Sequence, residues 1–281
     1  MHKKAILSLL AAAAVASPAL AFPTPWYQND LDDLASATAL GGSALGTAPN
    51  FAPSLYGNKF QSTGDSRLFW STAQTQAIFT GWDDSAGITI DAIISGFGPN
   101  VTRDSGIWSV GHRNPDKFLV TAVQNDRLRI NIRNAAGFPD GGNTRTLETA
   151  NLNFQAHIDY RVTVRQHTSN GNGGDLLVYL ESLNDGGAQY PAGTLVGTLD
   201  LISTYAFNFP LTAGSGPALG MSIGNRHPFG TAATILQNGE AIDQVRIYNG
   251  NYHPSEIAIP EPASLLLVAA GGLLVSRRRR A

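Results

Sequence analysis

The stretch "RLRINIR", residues 127–133, decides the fold class of this chain. Its apolar residues Leu128, Ile130 and Ile132 alternate with polar residues. Successive side chains of a β-strand point to opposite faces, so the pattern predicts a strand with one buried face and one face in water. Strands of this kind are typical of antiparallel sheets.

Other segments repeat the β pattern. They are "ITIDAII" (88–94), "FLVTAV" (118–123), "YRVTVR" (160–165) and "LLVYLES" (176–182). The intervening "QND" (124–126) and "HTSNGNGG" (167–174) are typical of hairpin loops. Helix signals are confined to residues 29–40, with Asn29 or Asp30 as N-cap, and to one turn at 253–258. We therefore expect an all-β sandwich or barrel.

The N-terminus carries an export signal. Lys3 and Lys4 precede an apolar run at residues 5–16, and Ala19-Leu20-Ala21 has the small-x-small form of a signal-peptidase site. We expect residues 1–21 to be a signal peptide and the mature chain to begin at Phe22.

The C-terminal stretch "IPEPASLLLVAAGGLLVSRRRRA", residues 259–281, has three parts. A proline break is followed by an apolar run at 263–275 and a terminal arginine cluster. The thirteen apolar residues reach about 20 Å as a helix, short of a hydrocarbon core of about 30 Å. The defining residues are Pro260, Glu261, Pro262, Arg277, Arg278, Arg279 and Arg280.

This tail resembles the PEP-CTERM sorting signal; the alternative is a plain C-terminal anchor. The resemblance implies an exported protein of a Gram-negative bacterium that makes extracellular polysaccharide. It also implies an exosortase-type membrane protease as partner and transient anchoring in the inner membrane. The final location would be the cell surface or the extracellular matrix.

The part between the two signals is acidic and has no cysteine. Without Lys3, Lys4 and the four terminal arginines, 21 acidic residues outweigh the remaining basic ones, and the net charge is about −8. Nucleic acid is therefore not an expected partner. We expect one sandwich domain at 57–258, preceded by a looser stretch at 22–56 that is either an extension or part of the sandwich.

Three segments of this domain resemble the laminin-G-like, concanavalin-A-like superfamily. They are "GNKFQSTGDSRLFW" (57–70), "ALGMSIGNRHPFG" (218–230) and "AIDQVRIYNGNYHPSEIA" (241–258). The resemblance implies a two-sheet antiparallel jelly roll. The long segment 180–199 departs from the family pattern.

Two acidic residues stand in apolar strands. Asp243 is in phase with Val245 and Ile247, and Asp91 is in phase with Ile93, so regular strands would point both carboxylates toward buried surroundings. Each needs a partner. Ca²⁺ is one, and backbone N–H groups or an arginine are the alternative.

Catalytic patterns are missing from the sequence. A retaining glycosidase needs two carboxylates about 5 to 5.5 Å apart, and no strand carries acidic residues at alternate positions. Cysteine and Gly-x-Ser-x-Gly are absent, and the histidines are dispersed. We expect a protein that is not an enzyme.

Sugar recognition combines aromatic faces with planar polar side chains. Two loops, "GHRNPD" (111–116) and "GNRHPFG" (224–230), bring Asn, Arg, His and Pro together at a strand exit, which is typical of an exposed, shaped loop. We expect glycan or matrix polysaccharide to bind loops at one end of the sandwich. Alternatives are a structural or adhesion component that binds protein partners, and, third, a glycoside hydrolase. The candidate residues are Trp82, Arg113, Asn114, Asn225, Arg226 and Phe229.

Overall fold

The computed structural model describes residues 22–61, 66–83, 86–99, 105–110, 117–123, 126–133, 141–142, 144–167, 175–201, 220–225, 236 and 239–259, with backbone alone at 117–123, 133 and 167. The predicted signal peptide and the residues of the sorting motif lie outside these ranges. Within them, every helix is too short or too polar to cross a bilayer.

The described residues form short strands with few helical turns. The strands are β1 (Tyr27–Asn29), β2 (Ser43–Leu45), β3 (Asn50–Ser54), β4 (Gly57–Gln61), β5 (Arg67–Trp70), β6 (Ile88–Ser95), β7 (Ser105–Val110), β8 (Lys117–Val123), β9 (Arg127–Arg133), β10 (Thr144–Glu148), β11 (Tyr160–His167), β12 (Asp175–Ser182), β13 (Thr194–Asp200), β14 (Met221–Ile223) and β15 (Ala241–Asn249). The α-helices are α1 (Leu34–Ala37) and α2 (Thr72–Ile78).

The strands form two antiparallel sheets. Sheet A has the order β13-β12-β11-β6-β15-β4-β3, and β1 also pairs with β15. Sheet B has the order β10-β9-β8-β7-β14-β5-β2. Apolar side chains from both sheets form one core cluster between them. The predicted all-β, two-sheet antiparallel sandwich is confirmed.

Alternation along the strands builds this core. Leu128, Ile130 and Ile132 of β9 are fully buried, whereas Arg127 and Arg129 on the opposite face are partly exposed. The central strands of sheet A differ, because all eight residues of β6 are buried. Sheet A is therefore covered on its outer face as well.

The N-terminal stretch belongs to the sandwich, since β1 pairs with β15, β2 with β5 and β3 with β4. The helix expected at 29–40 is shorter than predicted: Asn29 lies in β1, and Asp33 caps α1 by accepting from Ser36 N. The predicted turn at 253–258 is confirmed as a 3₁₀ helix at Pro254–Glu256.

Candidate functional site

Two of the predicted binding residues are buried. Trp82 is 7% exposed and packs edge-on against Trp26 and Phe79, with ring centroids 5.7 and 5.5 Å away. Asn225 is fully buried, and its carbonyl accepts a hydrogen bond of 2.9 Å from the Ser222 hydroxyl. The structure therefore buries both side chains, whereas the prediction placed them on an exposed surface that faces a ligand.

The predicted binding loops follow two neighbouring strands of sheet B. Val110, the last residue of β7, pairs with Met221, the first residue of the antiparallel β14. Ile223, the last residue of β14, pairs with Trp108, so the two strands run in opposite directions where the two predicted loops begin. The candidates Arg113, Asn114, Arg226 and Phe229 lie outside the described residues.

Asp91 has arginine partners. Its Oδ1 accepts hydrogen bonds of 2.7 Å from Arg161 Nε and Thr163 Oγ1, and its Oδ2 accepts one of 2.7 Å from Arg246 Nη2. Asp91 is 1% exposed and Arg161 is 2% exposed. This is the ion-paired alternative to a Ca²⁺ ligand, because two guanidinium groups already neutralise the carboxylate.

Asp243 lies in a β-bulge. Its neighbours Ile242 and Gln244 pair with adjacent residues of β6, so Asp243 is the extra residue. Ile242 and Val245 both belong to the core, although a regular strand would point them to opposite faces. The regular-strand phase therefore does not hold across Asp243, although its side chain is buried as expected, at 2% exposed.

The bulge places Asp243 beside other polar groups. Burial raises the pKa of Asp243 to about 7; the Asp159 carboxylate adds to the rise, whereas a hydrogen bond with Ser54 and the charge of Lys59 oppose it. Burial also raises the pKa of Asp159. The described residues contain no group of three or more Asp, Glu, His or Cys side chains arranged to hold a metal ion.

Residues 250–259, here called the C-terminal strap, cover the outer face of sheet A. Thr89 Oγ1 donates a hydrogen bond of 2.8 Å to the Gly250 carbonyl at the start of the strap. Near its end, Arg161 Nη2 donates to the Ile257 carbonyl at 3.2 Å, and Arg246 Nη1 donates to the Ala258 carbonyl at 2.6 Å. The arginines that bind Asp91 therefore also hold the strap.

A cleft of about 330 Å³ lies between the strap and sheet A, here called the strap cleft. This volume is at the lower end of the range for small-ligand sites. Its lining combines a carboxylate, a guanidinium group and an imidazole with apolar groups. It includes Phe22, Arg161, Glu181, Gly193, His253 and Ile259.

Glu181 is the polar group of the cleft with an unmet hydrogen-bonding requirement. Its Oε2 is buried, lies 3.7 Å from Arg161 Nη1, and accepts no hydrogen bond from the described residues. Burial raises the pKa of Glu181, whereas Arg161 lowers it and Asp91 raises it. A buried acceptor without a donor is costly, so a ligand hydroxyl that donates to it would be stabilised.

The cleft contains one serine–histidine pair, which serves as a cap. His253 Nδ1 lies 2.8 Å from Ser255 Oγ and also accepts from Ser255 N at 3.3 Å. This is the N-cap of the 3₁₀ helix. No carboxylate among the described residues hydrogen-bonds the other ring nitrogen, as a catalytic triad requires.

The residues of the strap cleft were missed because they come together through tertiary packing. A partial signal exists in "LLVYLES", where Leu176, Val178 and Leu180 alternate with Tyr179 and Glu181. Alternation places an aromatic ring and a carboxylate together on the outer face of sheet A. Nothing local in the sequence indicates that residues 250–259 cross that face.

Comparisons with known proteins add little to this description. No family model matches the chain, and no curated protein matches it. It is similar in structure to the botulinum neurotoxin serotype C1 binding domain (13% identity, TM-score 0.47), over 76% of this chain and 45% of that one. It is also similar to the Ruminococcus gnavus IT-sialidase CBM40 bound to α2,3-sialyllactose (15% identity, TM-score 0.46), over 71% of this chain and 94% of that one. The chain thus spans less than half of the neurotoxin chain, and similarity at this level carries no argument about function.

Proposed function

We propose that this protein is an exported, non-catalytic β-sandwich that binds a glycan of the extracellular polysaccharide matrix through the strap cleft. The observation that carries the proposal is the Glu181 carboxylate, whose buried oxygen lacks a hydrogen-bond donor within the described residues. A sugar hydroxyl can supply that donor. A charged acceptor of this kind contributes about 1.5 to 3 kcal/mol.

The surroundings of Glu181 also suit a sugar. The buried guanidinium of Arg161, 3.7 Å from Glu181, favours the charged form of that carboxylate, and the side chain of Phe22 is 53% exposed at the edge of the cleft. Sugars present hydroxyls at their rims and C–H groups on their faces, so they need planar polar partners and apolar surfaces together. The strap cleft offers this combination.

Export and sorting enter the proposal from the sequence. The signal at residues 1–21 directs export, and the PEP-CTERM-like tail at 259–281 would be recognised by an exosortase-type protease. Four terminal arginines that remain on the cytoplasmic side would hold the chain transiently in the inner membrane. Release by the protease would leave the sandwich at the cell surface or in the matrix.

A glycan array probed with the mature domain, residues 22–259, tests the proposal. Wild-type protein should bind a defined set of glycans, and Glu181→Gln, whose amide oxygen is a neutral acceptor, should bind that set at least about tenfold more weakly. The substituted amide is neutral and nearly isosteric with the carboxylate, so the change leaves the burial unaltered. An array without glycan binding, together with binding to a purified matrix protein, would replace the proposal with an adhesion role.

A further inference from the structure

The N-terminal segment presents side chains alternately to solvent. Exposed residues alternate with the half-buried Pro23 and Pro25 and the buried Tyr27 and Asn29. The exposed set, here called the N-terminal stripe, consists of Phe22, Thr24, Trp26, Gln28 and Asp30. It begins in the strap cleft, because Phe22 lines that cleft.

Prolines and strand pairing keep this segment extended. Phe22 and Thr24 each precede a proline, which restricts them to extended conformations. Trp26 N donates a hydrogen bond of 2.8 Å to the Ile247 carbonyl, and β1 then pairs with β15. Four residues span at most about 14 Å. The exposed side chains of the N-terminal stripe therefore continue from the strap cleft to Trp26 and then along β1.

The indole ring of Trp26 is held in place yet accessible. It is 39% exposed, its Nε1 donates a hydrogen bond of 2.9 Å to the Ile78 carbonyl, and its edge packs on Trp82. A ring that is already fixed loses little conformational entropy when a ligand stacks on it. Trp26 is thus an aromatic platform outside the cleft.

Planar polar groups continue the stripe beyond Trp26. Gln28 Nε2 donates a hydrogen bond of 2.7 Å to Asp30 Oδ1, which also accepts from Gln244 Nε2. Gln244 is 7% exposed, and its Oε1 accepts no hydrogen bond from the described part of the chain. An amide and a carboxylate fixed in this way can bind the hydroxyls of a sugar stacked on the neighbouring ring.

We infer that the strap cleft and the N-terminal stripe form one elongated site, which binds along a polysaccharide chain instead of capping a single sugar. The inference rests on the proposed function. Phe22 and Trp26 provide separate apolar platforms, and Glu181 and the Gln28–Asp30 pair provide polar contacts at both ends. A ligand confined to the cleft would leave Trp26 and Gln28 unused.

The test compares short and long fragments of extracellular polysaccharide purified from the cells that secrete the protein. Long fragments should bind the mature domain about tenfold more tightly than fragments that fill only the cleft. They should also protect tryptophan fluorescence from acrylamide. Trp26 is the one exposed tryptophan of the four, so the quenching reports on the stripe.

Trp26→Ala should remove the length dependence and leave the affinity for short fragments unchanged. Leu40→Ala, at a side chain that is 62% exposed, is the matched control and should change neither. Because Trp26 also packs on Trp82, Gln28→Ala provides a second variant with the same expected direction.

Wild-type affinity that is equal for short and long fragments, together with at least about tenfold weaker binding of both fragments by Glu181→Gln, would overturn the inference and leave the proposed function standing. Wild-type protein that binds no fragment of any length would overturn the proposed function itself.

Discussion

Asp243→Asn tests the account of the bulge in β15. The substitution removes an ionisable group and keeps an amide that can hydrogen-bond with Ser54. In the folded chain, burial raises the pKa of Asp243 from its ordinary 3.8 to about 7. The folded state therefore prefers the protonated form, and the stabilisation that this form gives is complete below pH 3.8 and lost as the pH rises through 7.

The size of the effect follows from the same two values. One pKa unit corresponds to about 1.36 kcal/mol. Relative to acid solution, ionisation of Asp243 should cost the wild type about 1.5 kcal/mol at pH 5 and about 4 kcal/mol at pH 8. Asparagine does not ionise. The unfolding free energy of the variant minus that of the wild type should therefore be about 2.5 kcal/mol larger at pH 8 than at pH 5.

Urea unfolding of both proteins at pH 5 and pH 8 measures this difference. The slope of the unfolding free energy against urea concentration should be the same for both proteins, which shows that the same surface is exposed on unfolding. Burial also raises the pKa values of Asp159 and Glu181, and this effect is the same in both proteins and cancels. The repulsion between Asp159 and Asp243 is already part of the raised pKa of Asp243. Asp175→Asn, at an exposed position of β12, controls for the loss of one negative charge. Parallel pH profiles of wild type and Asp243→Asn would refute the reasoning.

Three further outcomes are expected. Asp91→Asn should lower the free energy of unfolding by about 3 to 5 kcal/mol, because the buried guanidinium groups lose the carboxylate that neutralises them. The loss should be the same with EDTA and with Ca²⁺. A loss seen only with Ca²⁺ would contradict the ion-pair account. Gly96→Ala should lower the melting temperature far more than Gly141→Ala. Both glycines have positive φ, but a Cβ at Gly96 would lie 1.9 Å from a backbone carbonyl oxygen, whereas a Cβ at Gly141 would meet nothing within 4 Å. The intact mass of the native protein should correspond to a chain that begins at Phe22 and lacks residues 277–280; a mass that includes them would favour a plain anchor.

The sheets were predictable because alternation is local. Leu128 and Ile130 alternate with polar residues, and Tyr160 and Val162 repeat the pattern, so the direction of each side chain follows from its position in the sequence. The structure buries all four. The helix α2 was not predicted, although its sequence carries a local signal, since Ser71 and Gln74 form a capping box.

The bulge and the strap cleft were not predictable in this way. One extra residue at Asp243 reverses the phase of a strand, and the pairing that requires it involves residues about 150 positions away. The burial of Arg161 and Arg246 depends likewise on the carbonyls of residues 257–258. Trp82 was predicted to bind a ligand because tryptophan is common in sugar-binding sites, although in this chain Trp26 and Phe79 pack against its ring.

The central claim is that Glu181 in the strap cleft contacts a glycan. Isothermal titration of the mature domain with the best array ligand tests this most directly, using wild type, Glu181→Gln and Glu148→Gln. Glu148 pairs with Arg129 on sheet B, outside the cleft, and serves as the matched control. We expect Glu181→Gln to weaken binding at least about tenfold and Glu148→Gln to leave it unchanged. Equal affinities for all three proteins would contradict the account.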